Sequence, residues 1–435
     1  MSIYSLSGSF LSVLGPVERL PLRHFSDRNL AVFQCKTSEI SRIFNYVRGW
    51  DGVELPDSGL YGAACEFDPK FAEIKALGEA AERYTSAVIS QNEMKIATAE
   101  EIGDRAFDWK RLPQLSATEL ADPQQALHPF SSQDSIRWIE AVDMHKRACV
   151  YVPLILTHLY PRAWTSERFT YPVSTGTALH PDPWQAMLSA TLEVIERDAL
   201  SLNWILQRPL RRIRLQQRDA PYFDEKTWKL LWQNDLLLYE ATTDLGIPIV
   251  YARRFRPTHP KVVNVFGCAC SFDVCNAVGK SARESIMIAH ALESNAHHAP
   301  RDPFDCKHLI DGASMMMSPE RQDAFHFLDQ AGEVMLDELL EKQPDVSELP
   351  HEQFDWLVAR TKQYDQPLYI AEISCDEIKN VGLRTFRAVM PGLMPLSFVH
   401  RARFLGSSRL SDMYEYWNLS GALEERINPW PQPFS

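Results

Sequence analysis

A mixed α/β protein of enzyme size is the fold class this sequence predicts, on three observations. Helical and strand-like patterns alternate along all 435 residues. Hydrophobic residues make up 45% and charged residues 23%, the balance of a chain that buries a core and does not stay disordered. No short-period repeat or low-complexity block indicates a solenoid or propeller. The length accommodates two or three domains, but no linker cuts the chain cleanly.

The elements follow in order. MSIYSLSGSFLSVLGPVERL opens the chain with a short apolar patch and no basic leader before it. No apolar run reaches the roughly 18 to 20 residues of a membrane span, so the chain reads as cytoplasmic and not membrane-bound. Residues 71–90 place Ile74, Leu77, Ala81 and Tyr84 at helical spacing among good helix formers. The strand-like run ACVYVPLILTHL (148–159) comes next, then a long helix over 181–206 that starts with Asp182 as N-cap and Pro183 in the first turn. IPIVYARRF (247–255) and KVVNVFGCAC (261–270) read as strands rich in β-branched and aromatic residues, and 275–294 as a third helix. Residues 296–365 are mixed, PLYIAEIS (367–374) and FRAVMPGLMPLSF (386–398) are strand-like, and the chain finishes on NPWPQPFS (428–435). Its alternating Pro429, Pro431 and Pro433 suit neither a helix nor a central strand.

Charge and cysteine content narrow the function. With 45 basic against 57 acidic residues the net charge is −12, which disfavours nucleic acid or an anionic membrane as the main partner and leaves room for a local phosphate pocket. The eight cysteines form no disulfide framework and suit reduced thiols. Cys268, Cys270 and Cys275 cluster, but no C-x-x-C pair or adjacent histidine completes a zinc set, so they read as buried small residues beside a strand.

The informative feature is a pair of glutamate helices. LGEAAERY carries Glu79, Glu82 and Arg83; LEVIERDA carries Glu193, Glu196, Arg197 and Asp198. Residues three apart share a helix face, so each pair presents two carboxylates together. The same spacing is common on solvated helix faces, as in DELLEK with Glu338, Glu341 and Lys342. The two copies differ from that case because Ala76, Leu77, Ala80 and Ala81, or Leu192, Val194 and Ile195, surround the glutamates. Carboxylates in such surroundings need a cation or donors. Magnesium is held by a few carboxylates plus substrate phosphates, and arginines match phosphate oxygens in pairs. The chemistry points to a magnesium–nucleotide site, yet neither a Walker A loop nor G-x-G-x-x-G is present. A histidine-assisted metal hydrolase with His180, His297 or His298 finds no H-E-x-x-H pattern to support it.

Five stretches together resemble the YcaO family. KALGEAAERY is similar to its first signature helix, VSTGTALHPDPWQAMLSATLEVIERDAL to the second with its preceding loop, and GCACSFDVCNAVGKSARESI to the third. VMPGLMP (389–395) resembles the late strand and Pro-Gly turn, and Pro429 to Pro433 the P-x-P-x-P ending of azoline-forming members. The resemblance implies an N-terminal segment 1–61 and a catalytic domain 62–435 with a 428–435 tail, of YcaO-type fold with an ATP and magnesium site between the signature helices. It implies Glu79, Glu82, Glu193 and Glu196 as magnesium ligands or their close supports, with Glu79 and Glu196 central to catalysis. Arg83, Arg197, Glu284, Lys75 and Gln185 fall at nucleotide-site positions, and Pro429, Pro431 and Pro433 form the catalytic tail. Lys75 stands where many members have serine, Gln185 where they have glutamate, Met287 where they have glutamine, and Thr175-Gly176 and His180-Pro181 replace the usual Asn-Gly and Gly-Asn. Thiazole/oxazole synthetases of the microcin type diverge in that same loop.

The reaction implied is ATP-dependent cyclodehydration of Cys, Ser or Thr in a ribosomally made precursor peptide. The side chain attacks the preceding carbonyl, the amide oxygen is phosphorylated, and phosphate leaves as a thiazoline or oxazoline forms. The short N-terminal segment implies a stand-alone subunit with a ubiquitin-activating-like leader-binding partner and a flavin-dependent dehydrogenase. The alternatives are thioamide or amidine formation, or an inactive nucleotide-binding docking subunit.

Overall fold

The computed structural model describes Gly8, Phe10 and residues 17–25, 30–37, 60–89, 94–159, 164–232, 235–294 and 299–434. His297 and His298 lie outside the described residues, as do Ser435 and most of the segment 1–61. Two compact units are formed, each from three stretches of chain: 1–112, 126–194 and 347–392 in the first, and 113–125, 195–346 and 393–435 in the second.

Fourteen strands are described. They are β1 (Val17–Phe25), β2 (Leu30–Thr37), β3 (Tyr61–Glu66), β4 (Met94–Ala97), β5 (Ile136–Asp143), β6 (Ala148–Pro153) and β7 (Thr177–His180), then β8 (Arg211–Arg214), β9 (Leu236–Glu240), β10 (Ile249–Phe255), β11 (Asn264–Cys270), β12 (Glu333–Met335), β13 (Tyr369–Glu372) and β14 (Arg384–Val389). The longer helices are α1 (Pro69–Ala87), α2 (Pro183–Ile205), α3 (Val274–Ser294), α4 (Pro350–Gln363) and α5 (Ser408–Tyr416). The alternating pattern predicted by the sequence is present. Two strand-like runs end early: β6 stops at Pro153 and a helical turn over Leu154–Thr157 follows, and β14 stops at Val389 before the Pro391-Gly392 turn.

In the first unit, β1, β2 and β3 form an antiparallel three-stranded sheet. Helix α1 lies on it, burying Ala72, Ile74, Ala76, Leu77, Ala80 and Ala81 beside Ala31, Phe33, Cys35 and Ala64. Asp68 caps α1 by accepting from the Lys70 and Phe71 amides, and Pro69 starts its first turn. The other sheet of this unit runs β4–β5–β13–β14–β7, with β6 paired to β5, around Phe107, Ile136, Trp138 and Tyr369. The first part of α2, which carries Glu193, belongs here.

The second unit holds a five-stranded sheet in the order β11–β10–β9–β8–β12, antiparallel except where β12 joins β8. Helix α3 packs along β10 and β11, and the rest of α2, with Glu196, belongs to this unit.

Both units contain the same strand–turn–helix piece. GAACEFD (62–68) and GCACSFD (267–273) share five of seven residues, and each runs from a strand into a helix with an aspartate, Asp68 or Asp273, at its start. The two glycines have one reason. A Cβ on Gly62 would stand 1.9 Å from the Ala76 carbonyl oxygen, and one on Gly267 would stand 2.3 Å from that of Ser281. In each piece only a residue without a side chain lets helix and strand backbones approach so closely.

Candidate active site

The first unit has a cavity of about 70 Å³ lined by Glu79, Glu82, Arg83, Ser86, Ser174, Thr177 and Glu193. This admits several water-sized ligands but not a whole nucleotide. Glu79 and Glu82 of α1 and Glu193 of α2 line it together, whereas Glu196, expected to share a face with Glu193, is not among the lining residues. Backbone amides orient each of the three lining glutamates: Glu79 accepts from Ala63 of β3 at 2.8 Å, Glu82 from Leu179 of β7 at 3.3 Å and Glu193 from Gly176, in the turn before β7, at 3.0 Å. Arg83 donates to Glu79 at 2.7 Å and to the Tyr61 carbonyl at 2.9 Å, which ties the α1 glutamates to β3.

Burial, reinforced by the neighbouring Glu193 and Glu79 charges, pushes the Glu82 carboxyl well above the usual range. Three acids crowded into one cavity in this way favour a cation among them. Among the described residues no group of three or more His, Cys, Asp or Glu side chains is placed to hold a metal ion unaided.

The second unit repeats the device. Glu284 accepts from the Cys268 amide at 2.6 Å, and Glu196 from the Cys270 amide at 2.9 Å. Glu79 and Glu284 occupy the same position of the duplicated piece and hold the same strand amide. Arg197 lies 3.6 Å from Glu196. Burial raises the Cys268 and Cys270 thiols well above their ordinary range, and nearby Glu196 adds to it, so both stay protonated. Asp198 sits in a buried cluster, 2.7 Å from Arg409 of α5, which also pairs with Asp244 at 2.7 Å; it accepts from the Met394 amide at 2.8 Å. The PGLMP stretch is thereby fastened to α2.

The proline-rich segment is docked on the second unit. Asn428 donates to the Ile205 carbonyl at 2.8 Å and its own carbonyl accepts from Arg403 at 2.5 Å. Trp204 donates from its indole to the Trp430 carbonyl at 3.0 Å, Gln432 bonds the Ser397 carbonyl, and the Arg321 guanidinium lies over the Trp430 ring at 4.1 Å. Pro431 and Pro433 are buried, whereas Pro429 is exposed.

Other predicted residues lie apart from the cavity lining. Lys75 pairs with Glu66 and covers the Phe71 ring, Gln185 donates to Ser189 at 3.0 Å, and His180 is exposed and accepts from the Asp182 amide at 3.0 Å. Sequence reasoning missed Ser86, Ser174, Thr177 and Arg387. Two signals marked three of them: the hydroxyl-rich S-T-G-T (174–177) before α2, and an arginine inside the apolar strand TFRAV; Ser86 carried none.

Residues 65–394 match the family model described as YcaO cyclodehydratase, ATP- and Mg²⁺-binding. No curated protein sequence matches the chain. Among solved structures, a heterocyclase in complex with substrate and cofactor aligns with a TM-score of 0.80 at 18% identity, over 100% of this chain and 57% of that one. This chain therefore spans little more than half the length of that heterocyclase. YcaO from Methanopyrus kandleri bound with AMPPCP and Mg²⁺ aligns with a TM-score of 0.61 at 14% identity, over 90% of both chains. The E. coli microcin synthetase McbBCD complex with pro-MccB17 bound gives 0.59 at 12% identity, over 95% of this chain and 96% of that one. At these identities the likeness is one of fold.

Proposed function

This chain belongs to the YcaO family, and we propose that it converts Cys, Ser or Thr residues of a ribosomally made peptide to thiazolines or oxazolines at the expense of ATP. The observation that carries the reading is the cavity in which Glu79, Glu82 and Glu193 converge with Arg83. A magnesium ion with the phosphate end of ATP fits this donor set, and ATP bound there would supply the phosphoryl group that turns a poor amide-oxygen leaving group into a good one. Glu79, Glu82 and Glu193 would hold the cation, and backbone amides fix their orientation in advance, so little reorganisation would accompany binding. Arg83 keeps Glu79 in place and offers charge to a phosphate oxygen. Glu196 and Glu284, each anchored on a β11 amide, are the corresponding carboxylates of the second unit, with Arg197 beside Glu196. The docked 428–434 segment is a preformed proline-rich element at the catalytic end of the chain, which costs little entropy to order.

The neighbour described as the McbBCD microcin synthetase complex with pro-MccB17 bound favours a subunit working within a synthetase; a leader-binding partner and a flavin-dependent dehydrogenase beside it are what the family resemblance adds to the proposal. The test is peptide-dependent ADP release by the assembled complex, with product mass recorded. Each ring costs the peptide one water, and Glu79→Ala or Glu196→Ala should abolish both ADP release and the mass loss. A mass gain from oxygen-to-sulfur exchange would replace the reading with thioamidation. ADP release unchanged in both variants would make the chain a docking subunit.

A further inference from the structure

Thr177 and Arg387 meet at the wall of the glutamate cavity. They face each other in the β7–β14 ladder. Arg387 is only 5% exposed and makes its described hydrogen bonds to uncharged acceptors: Nε to the Leu156 carbonyl at 2.9 Å and Nη1 to Thr177 Oγ1 at 2.8 Å. A buried guanidinium needs every donor satisfied and an opposite charge nearby; the carboxylate acting on it is Glu193.

The hydrogen bond to Thr177 has a directional result. A threonine hydroxyl has one proton to give and lone pairs to accept with, whereas a guanidinium only donates. Arg387 therefore occupies a lone pair of Oγ1 and turns the hydroxyl proton away from itself. Thr177 lines the cavity with three glutamates, groups that accept hydrogen bonds when ionised. The backbone holds this arrangement from both sides. Thr177 donates its amide to the Ser174 carbonyl at 3.1 Å, and the Gly176 carbonyl accepts from Ala388 at 2.7 Å. Gly176 has φ +85°, and a Cβ there would stand 2.6 Å from the Ala388 carbonyl oxygen. Such a position favours glycine on both counts.

We propose that Thr177 is a binding residue of this site, its O–H aimed by Arg387 at a phosphate oxygen of the bound magnesium nucleotide, and that Arg387 is the positioning residue that aims it. The proposal rests on the magnesium–nucleotide reading of the cavity. The competing account is structural, with the Thr177 hydroxyl serving only to satisfy a buried arginine.

Calorimetric titration of the full-length protein with a non-hydrolysable ATP analogue and magnesium separates the two. Thr177→Val should weaken analogue binding about tenfold or more, the size of one hydrogen bond to a charged group. Thr177→Ser should retain wild-type affinity, and Arg387→Lys should weaken it while the protein stays folded by thermal denaturation. If Thr177→Val does not fold, Thr177→Ala removes the same hydroxyl without adding a methyl group. Wild-type affinity in the valine or alanine variant, with only its melting temperature lowered, overturns the proposal. Wild-type protein that binds no analogue overturns the magnesium–nucleotide reading itself, a distinguishable result.

Discussion

Phe434 stands one position beyond Pro433, is 5% exposed, and lies edge-on to Tyr251 at 5.4 Å and to Phe266 at 5.6 Å. Both partners matter for the glutamates of the second unit. Tyr251 donates to the Ala199 carbonyl of α2 at 2.8 Å, and Phe266 is two residues from Cys268, whose amide holds Glu284. Truncating a buried aromatic to alanine typically costs about 3–5 kcal/mol, because a cavity remains. Phe434→Ala should lower the melting temperature and reduce ring formation, while Phe434→Tyr or Phe434→Leu should recover most of both. Full activity in Phe434→Ala would show that the segment acts without this anchor. The alternating prolines marked the segment in the sequence, but Phe434 gave no local sign of burial. Its slot is built by β10 and β11, about 170 residues or more away along the chain, and a periodicity argument has no access to such partners.

At the scale of elements, Gly267→Ala should be among the most damaging single changes, since the new Cβ meets helix backbone and no flexible side chain can yield. Separation of α3 from β11 would move the Cys268 amide away from Glu284. Gly312→Ala should act more locally: its Cβ would stand 2.3 Å from the Gln432 carbonyl oxygen and dislodge the proline-rich segment. The expected contrast is loss of soluble protein for Gly267→Ala, against a folded, weakly active Gly312→Ala with altered Trp430 fluorescence. Equal stability of Gly267→Ala and wild type would show that the helix–strand approach is not needed. Helices α1 and α2 were legible because long apolar periods mark both, and Asp182-Pro183 is a local start signal for the second. The GAACEFD/GCACSFD duplication was present in the sequence but lies 205 positions apart, beyond the reach of a search for short repeats. Strand ends were legible less well. After Pro153 the apolar LILT turns helical because tertiary packing buries Leu154 and Ile155, which residue preference alone does not decide.

For the whole molecule, acid stability has an identifiable source in each unit. Burial, with Arg387 and Arg137 nearby, lowers His158 to about 3; burial, with Arg403 and Arg401 nearby, does the same to His400. An unfolded chain binds protons at both histidines below about pH 6.5, while the folded chain does so only near pH 3. Stability is therefore fully present above about pH 6.5 and declines as pH falls towards 3, at about 1.4 kcal/mol per pH unit for each histidine. Denaturant midpoints at pH 7 and pH 5 should show the decline, and His158→Gln or His400→Gln should flatten it. A slope unaltered in both variants would assign acid lability to other groups. The connectivity of the two units has a further consequence, for synthesis. Strands β13 and β14 sit between β5 and β7 in their sheet, yet they leave the ribosome only after residues 113–125 and 195–346 of the second unit have been made. Chains usually fold domain by domain as they emerge; here the edges of β5 and β7 that receive β13 and β14 have no strand to close them until residues 369–389 appear. The nascent chain thus carries open sheet edges through most of translation, the state in which strands recruit other chains, and it is there that a chaperone has the most to do.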